Sequence, residues 1–153
     1  DELTTLLEHG ATLSYSDGAT LFQEGDAADV VFFILDGSVR IHGPRVGGGR
    51  IEFALLGAGS ILGEMGMLIQ RRRGSAASAL GSVRVVRMGH ETLMADYRAG
   101  TPYALSLFHG MAVTLAHRLD ASNRRVSLRE DENRPAGTDF EAFRKTILED
   151  WSL

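Results

Sequence analysis

The residues whose types could do chemistry gather in one stretch, Leu62-Gly63-Glu64-Met65-Gly66-Met67-Leu68-Ile69-Gln70-Arg71-Arg72-Arg73-Gly74-Ser75-Ala76. A glycine leads into a turn of helix, a short loop reaches an arginine, and a strand begins. A helix start leaves backbone N–H groups unpaired and carries partial positive charge, so it attracts anions. An arginine adds a planar fork that fits two oxygens of a phosphate. Glu64 looks misplaced beside an anion, but a carboxylate accepts hydrogen bonds, so it fits a ligand that also offers hydroxyls. One arginine for phosphate and one carboxylate for a sugar hydroxyl describe a nucleotide with a single phosphate charge. Taken alone, Arg71 to Arg73 would read as a solvated basic patch; Gly63-Glu64 upstream and the strand downstream turn the reading toward binding.

Other chemistry finds little support. With no cysteine, thiol nucleophiles, cysteine metal sites and disulfides are excluded. His9, His42, His90, His109 and His117 are scattered, without metalloprotease or triad spacing. Gly47-Gly48-Gly49 lacks the Lys-Ser/Thr and the helix that a phosphate-cradling loop needs, so it reads as a hairpin loop. A net charge of −4 argues against a nucleic-acid coat. No apolar run reaches the roughly 20 residues that span a bilayer. The expectation is a binding module, not an enzyme, with no cofactor or metal.

The elements that must position the cassette can be read from pattern. The chain fits one principal domain, and its 18 glycines point to many tight turns. Residues 1–9 read as a short helix stopped by Gly10. From 11 to 88, short β-prone runs alternate with glycine, the clearest being 30–35, 38–42, 50–56, 75–80 and 82–88. Asp36-Gly37 reads as a hairpin turn between two of them. Helices follow at 90–98 and, after a Thr101-Pro102 start, at 101–128. On the second, Leu105, Phe108, Ala112, Leu115, Leu119, Ser122 and Val126 form a heptad seam, for the chain's own β-core or for a second copy. Residues 129–137 read as a polar linker, and Phe140, Phe143, Ile147 and Trp151 as one face of a tail helix. The expected division is therefore a domain at 1–128 and a linker with tail at 129–153.

The cassette resembles the phosphate-binding cassette of the cyclic-nucleotide-binding domain family, whose usual form is roughly FGELALL, about three residues, then PR(S/T)A. Upstream, residues 19–41 (ATLFQEGDAADVVFFILDGSVRI) resemble the family's first strands and their glycines. The resemblance covers about residues 1–128 and implies a mainly β fold with flanking helices, an eight-stranded jelly-roll β-roll (double-stranded β-helix) plus a long C-terminal helix. It implies that Gly63 lets the backbone approach, with Leu62 among the ligand-binding residues, that the N–H groups of Glu64 and Met65 face the phosphate, and that Glu64 takes the ribose 2′-hydroxyl. Arg73 would neutralise the cyclic phosphate, with the Gly74 N–H and Ser75 beside it. Two departures matter. Arg72 stands where the family has proline, so Arg71 and Arg72 compete for the arginine's role, and Gly74 lacks the usual hydroxyl.

Residues 115–126 (LAHRLDASNRRV) resemble the C-terminal helix of the family's catabolite activator protein-like sensors. The resemblance implies that Ser122 and Asn123 read the base, that Arg118 reaches the cassette glutamate, that cAMP is favoured over cGMP, and that this helix forms a homodimer. Only 25 residues follow Leu128, too few for a helix-turn-helix reader, so no direct DNA binding by this chain is expected. Because the chain opens on Asp1, the expectation is a cytoplasmic regulatory end of a larger protein, including a membrane protein, or a sensor acting on a partner protein. The competing reading is a degenerate domain that serves as a ligand-free scaffold.

Overall fold

The computed structural model describes residues 1–133, with side chains described through Arg124. In chain order the elements are α1 (Glu2–His9), β1 (Ala11–Tyr15), β2 (Thr20–Phe22), β3 (Val30–Pro44), β4 (Arg50–Gly57), β5 (Ile61–Leu62), α2 (Glu64–Leu68), β6 (Ala76–Gly89), α3 (His90–Arg98) and α4 (Pro102–Asn133). Contacts divide the chain into two compact units, Asp1–Ala112 and Val113–Leu153. Among the described residues, the first holds every strand and the cassette. In the second, the described residues are helical through Asn133, so the first part of the expected linker is helix. The expected tail helix through Phe140, Phe143, Ile147 and Trp151 lies outside the described residues. Among the described residues, no helix is long and apolar enough to cross a membrane.

The six strands form one antiparallel sheet in the order β1-β6-β3-β4, with β2 on β6 and β5 on β3. Successive side chains on a strand point to opposite faces, and in β3 and β6 both faces are apolar. Val30, Phe32 and Ile34 of β3 join Val83 and Val85 of β6, Phe22 and Leu62 in a core made by strands alone. Val31 of β3 and Val86 and Met88 of β6 join Leu6, Leu93, Tyr103, Ala104 and Met111 in a second core roofed by helices. The central strands are thus buried on both sides, and removing a side chain such as Ile34 would cost about 2–5 kcal/mol. This is the mainly antiparallel β-roll with flanking helices that the sequence resemblance implied.

Asp36-Gly37 does not make the expected hairpin. β3 runs through it, and its pairing with β6 shifts register between Ile34 and Asp36 and again between Asp36 and Ser38. Gly37 takes φ 87 and packs on the Ser82 carbonyl so closely that no Cβ would fit. A glycine at positive φ serves a bulge as well as a turn, and local sequence does not separate the two. The runs at 75–80 and 82–88 are likewise one strand, β6. Each long strand supplies two arms, and so six continuous strands trace the expected eight-stranded roll.

The own-core alternative for the heptad seam needs correcting. The residues of α4 that enter the helix-roofed core are Tyr103, Ala104, Leu107, Phe108 and Met111. Of these only Phe108 belongs to the predicted seam, while Leu105 is 46% and Leu119 62% exposed. The buried stripe is offset from the heptad because a globular core accepts a broader helical face than a paired-helix seam. Where α1, α3 and α4 meet, Asp96 accepts from the Tyr103 hydroxyl, and His9 Nδ1 lies 2.8 Å from the same carboxylate.

Candidate functional site

The cassette begins where β5 ends. Leu62 is 1% exposed and pairs opposite Phe32, which anchors the next residue to β3. Gly63 then caps α2 in the left-handed region, φ 86 and ψ 4, and a Cβ there would run into the Arg73 guanidinium. A residue with a side chain would carry a backbone penalty as well as that clash. No side chain caps the start of α2, so the first N–H groups of the helix keep their donor capacity. Met67 points into the helix-roofed core, Glu64 is 2% exposed, and Met65 faces solvent.

α2 is short because the chain reverses behind it. Gln70 takes φ 51, and Arg71 N–H returns to the Gly66 carbonyl at 2.9 Å. The chain then meets the loop that follows β2. Arg73 N–H donates to the Asp26 carbonyl at 2.9 Å, and Gly25 N–H donates to the Arg73 carbonyl at 2.8 Å. Arg72 adds a guanidinium bond to the Gly25 carbonyl at 2.8 Å. Arg71 and Arg72 are exposed and Arg73 is buried, so the three arginines hold different positions.

Arg73 is the centre of the arrangement. It is 4% exposed, with Nη1 donating to the Gly63 carbonyl at 2.8 Å and Nη2 to the Val30 carbonyl at 2.5 Å. Its Cζ lies 4.4 Å from the centroid of the Phe22 ring. Nε is buried without a hydrogen-bond partner among the described residues. Burial lowers the guanidinium's pKa, while the charges of Asp29, Asp26 and Glu64 act in the opposite sense. Both carbonyl acceptors are neutral, so these hydrogen bonds orient the cation without discharging it. A buried cation next to uncapped helix N–H groups is a place where an anion gains more than it would in water.

The predicted residues fall into two sets. Leu62, Gly63, Glu64, Met65, Arg73, Gly74 and Ser75 come together in the first unit, at the β5–α2 junction and the approach to β6. Arg118, Ser122 and Asn123 lie on α4 in the second unit, with Ser122 and Asn123 exposed. Arg118 and Ser122 are one turn apart, and the neighbouring Asp120–Arg124 ion pair closes at 2.9 Å. Sequence reasoning assigned no role to Phe22, Val30, Gly25 or Asp26, the residues that hold Arg73 in place. Their only signal was the 19–41 stretch as a block, because their partners lie 43 or more residues away in the chain.

Roll, flanking helices and cassette together define the class: a β-roll domain with a candidate anion-binding cassette. The profile of the family described as "Cyclic nucleotide-binding domain" matches residues 12–96. The chain belongs to that family. It is similar to the "Cyclic AMP receptor protein" of Thermus thermophilus, 29% identical over 139 residues, covering 89% of this chain and 62% of that one. "Glutaminase 2" of Bradyrhizobium diazoefficiens is 32% identical over 129 residues, covering 84% of this chain and 20% of that protein. In structure the chain is similar to the Thermus thermophilus catabolite activator protein, with TM-score 0.73 and 27% identity, over 84% of this chain and 59% of that one. The chain therefore spans less than two thirds of each of these relatives.

Proposed function

We propose that this chain is a regulatory sensor that binds a cyclic nucleotide, cAMP in preference to cGMP, at the cassette. The observation that carries the reading is Arg73, buried at 4% exposure and oriented by neutral carbonyls beside the uncapped start of α2. In this reading Arg73 meets the cyclic phosphate with the N–H groups of Glu64, Met65 and Gly74, and Ser75 lies alongside. The Glu64 carboxylate accepts from the ribose 2′-hydroxyl. Leu62 holds Gly63 against β3 so that the backbone reaches the ligand. Arg118, Ser122 and Asn123 supply the base preference, and similarity to the "Cyclic AMP receptor protein" of Thermus thermophilus supports cAMP.

The output is a shift in population. Ligand favours a state in which the C-terminal helix closes over the base, and it moves the balance only by its differential affinity for that state. The closed state acts on an attached module or a partner protein in the cytoplasm, a membrane transporter among them. Support comes from relatives in which the similar region is one part of a longer protein. The exposed seam residues Leu105 and Leu119 support a homodimer through α4. The domain itself is read as non-enzymatic.

The test is calorimetric titration of cAMP and cGMP into wild type, Arg73→Ala and Glu64→Ala. The expected result is micromolar binding, about −8 kcal/mol, that collapses in Arg73→Ala and is tighter for cAMP. A folded wild type that takes up neither nucleotide at millimolar concentration would overturn the reading and favour a ligand-free scaffold. Arg72 in place of proline, and Gly74 without a hydroxyl, motivate that alternative.

A further inference from the structure

We propose that Phe22 is a positioning residue of the anion site, holding the Arg73 guanidinium in the plane from which it meets the ligand. The inference rests on the reading of the cassette given above and adds a residue to it. Phe22 ends β2, is 7% exposed, and lies face-on to the guanidinium at 4.4 Å. Its ring is stacked on Phe32, with centroids 6.0 Å apart and planes at 27°, which limits its own movement.

Two hydrogen bonds, to the carbonyls of Gly63 and Val30, hold the two ends of the fork at its edge and leave its faces to be packed. The Phe22 ring, 4.4 Å from Cζ to centroid, packs against the guanidinium and restricts its movement. The loop that continues from Phe22 clasps the Arg73 backbone through Gly25 and Asp26, so one segment holds both ends of the residue. An aromatic face attracts a cation through its quadrupole yet takes none of its N–H groups. A carboxylate in that place would hydrogen-bond the fork and compete with an incoming phosphate. The ring steadies the charge without consuming a donor, and Nε–H is buried and unpartnered among the described residues.

A core role alone would also make Phe22 important, so the test needs a signal from Arg73 itself. The full chain, labelled with ¹⁵N-arginine, is prepared as wild type, as Phe22→Leu, and with 4-fluoro- or pentafluorophenylalanine at position 22. One fluorine weakens the ring's quadrupole with almost no change of volume and five reverse it while keeping the ring's shape, which keeps the test alive should the leucine variant fold poorly. The expected wild-type Arg73 Nε–Hε signal, assigned by its loss in Arg73→Lys, is displaced by the ring current. It moves toward its coil position in Phe22→Leu. Affinity for cAMP falls about 3- to 30-fold in the leucine and pentafluoro variants and changes least with one fluorine. If wild type binds and Arg73→Ala does not, but Phe22→Leu and pentafluoro variants bind like wild type, the positioning role is wrong and the cassette reading stands. If wild type binds neither nucleotide while the Arg73 signal still responds to position 22, the cassette reading fails and the ring contact is purely structural.

Discussion

The Arg73 guanidinium donates to the Gly63 carbonyl at 2.8 Å, and the space a side chain on Gly63 would need is the space that guanidinium fills. The glycine is thus tied to the arginine twice, by a hydrogen bond and by an absent Cβ. Gly63→Ala is expected to lose about 1–2 kcal/mol from the left-handed backbone alone and to displace Arg73 as well. Urea denaturation should show a folded but weakened domain, and calorimetry a loss of cyclic-nucleotide binding larger than the stability change explains. Binding unchanged from wild type would mean the guanidinium can move aside without consequence.

Gly66 is a different case. Its conformation suits any residue, but a Cβ there would lie 2.5 Å from the Ala28 Cβ and 2.9 Å from the Arg71 carbonyl oxygen. α2 therefore packs closer to the loop after β2 than the family's usual alanine would allow. Gly66→Ala is expected to cost about 1–3 kcal/mol through overpacking. Ala28→Gly, made in the Gly66→Ala background, should recover part of that loss by removing the nearer contact. A double-mutant cycle on urea midpoints measures the recovery, and strict additivity would show that the two residues do not meet.

The joint of α1, α3 and α4 should give the domain's stability an acid limb and an alkaline limb. Hydrogen bonds from Tyr103 and then His9 hold the Asp96 carboxyl below its ordinary range, against the opposing effect of burial. A carboxyl depressed on folding contributes stability that is present above its unfolded pKa of about 3.9 and lost as pH falls through the lower folded value. Burial, and then the bond to Asp96, raise the Tyr103 hydroxyl, so its contribution is present below about pH 10 and lost as pH rises further. Urea midpoints of wild type and Asp96→Asn should differ more at pH 7 than at pH 3. An equal gap at both pH values would mean that the charge at Asp96 is not what the joint uses.

Much of the fold was legible because its signals are local. The leucines of α1, the glycine-punctuated strands and the Thr101-Pro102 start each depend on neighbours within a turn or two. Asp36-Gly37 was misread because a bulge and a hairpin ask the same thing of a glycine, and only the pairing of β3 with β6 decides between them. The own-core alternative for the α4 seam was off in register, because which residues enter the core depends on the face that packs there. Within the cassette, Gly63, Glu64 and Arg73 were visible through type and spacing. The ring beneath the guanidinium and the Val30 carbonyl at its edge were not, since 51 and 43 residues separate them from Arg73 and nothing local marks them. The same holds for His9, set aside as one of five scattered histidines, which meets Asp96 across 87 residues.

Gly74 offers a gain rather than a loss. It follows Arg73, is exposed, needs no positive φ, and has open space where a Cβ would stand. A serine there is expected to fold as well as wild type, because glycine at an ordinary backbone angle brings no advantage and the added atoms meet nothing. If the cassette holds a phosphate, the new hydroxyl adds one donor beside Arg73. One hydrogen bond is worth about 1 kcal/mol net, roughly a fivefold gain in affinity. Gly74→Ala supplies the control, since it shares the change in backbone freedom and lacks the hydroxyl. Calorimetry should place Gly74→Ser above both wild type and Gly74→Ala for cAMP. Equal affinities in the serine and alanine variants would mean that the ligand phosphate does not come within reach of residue 74.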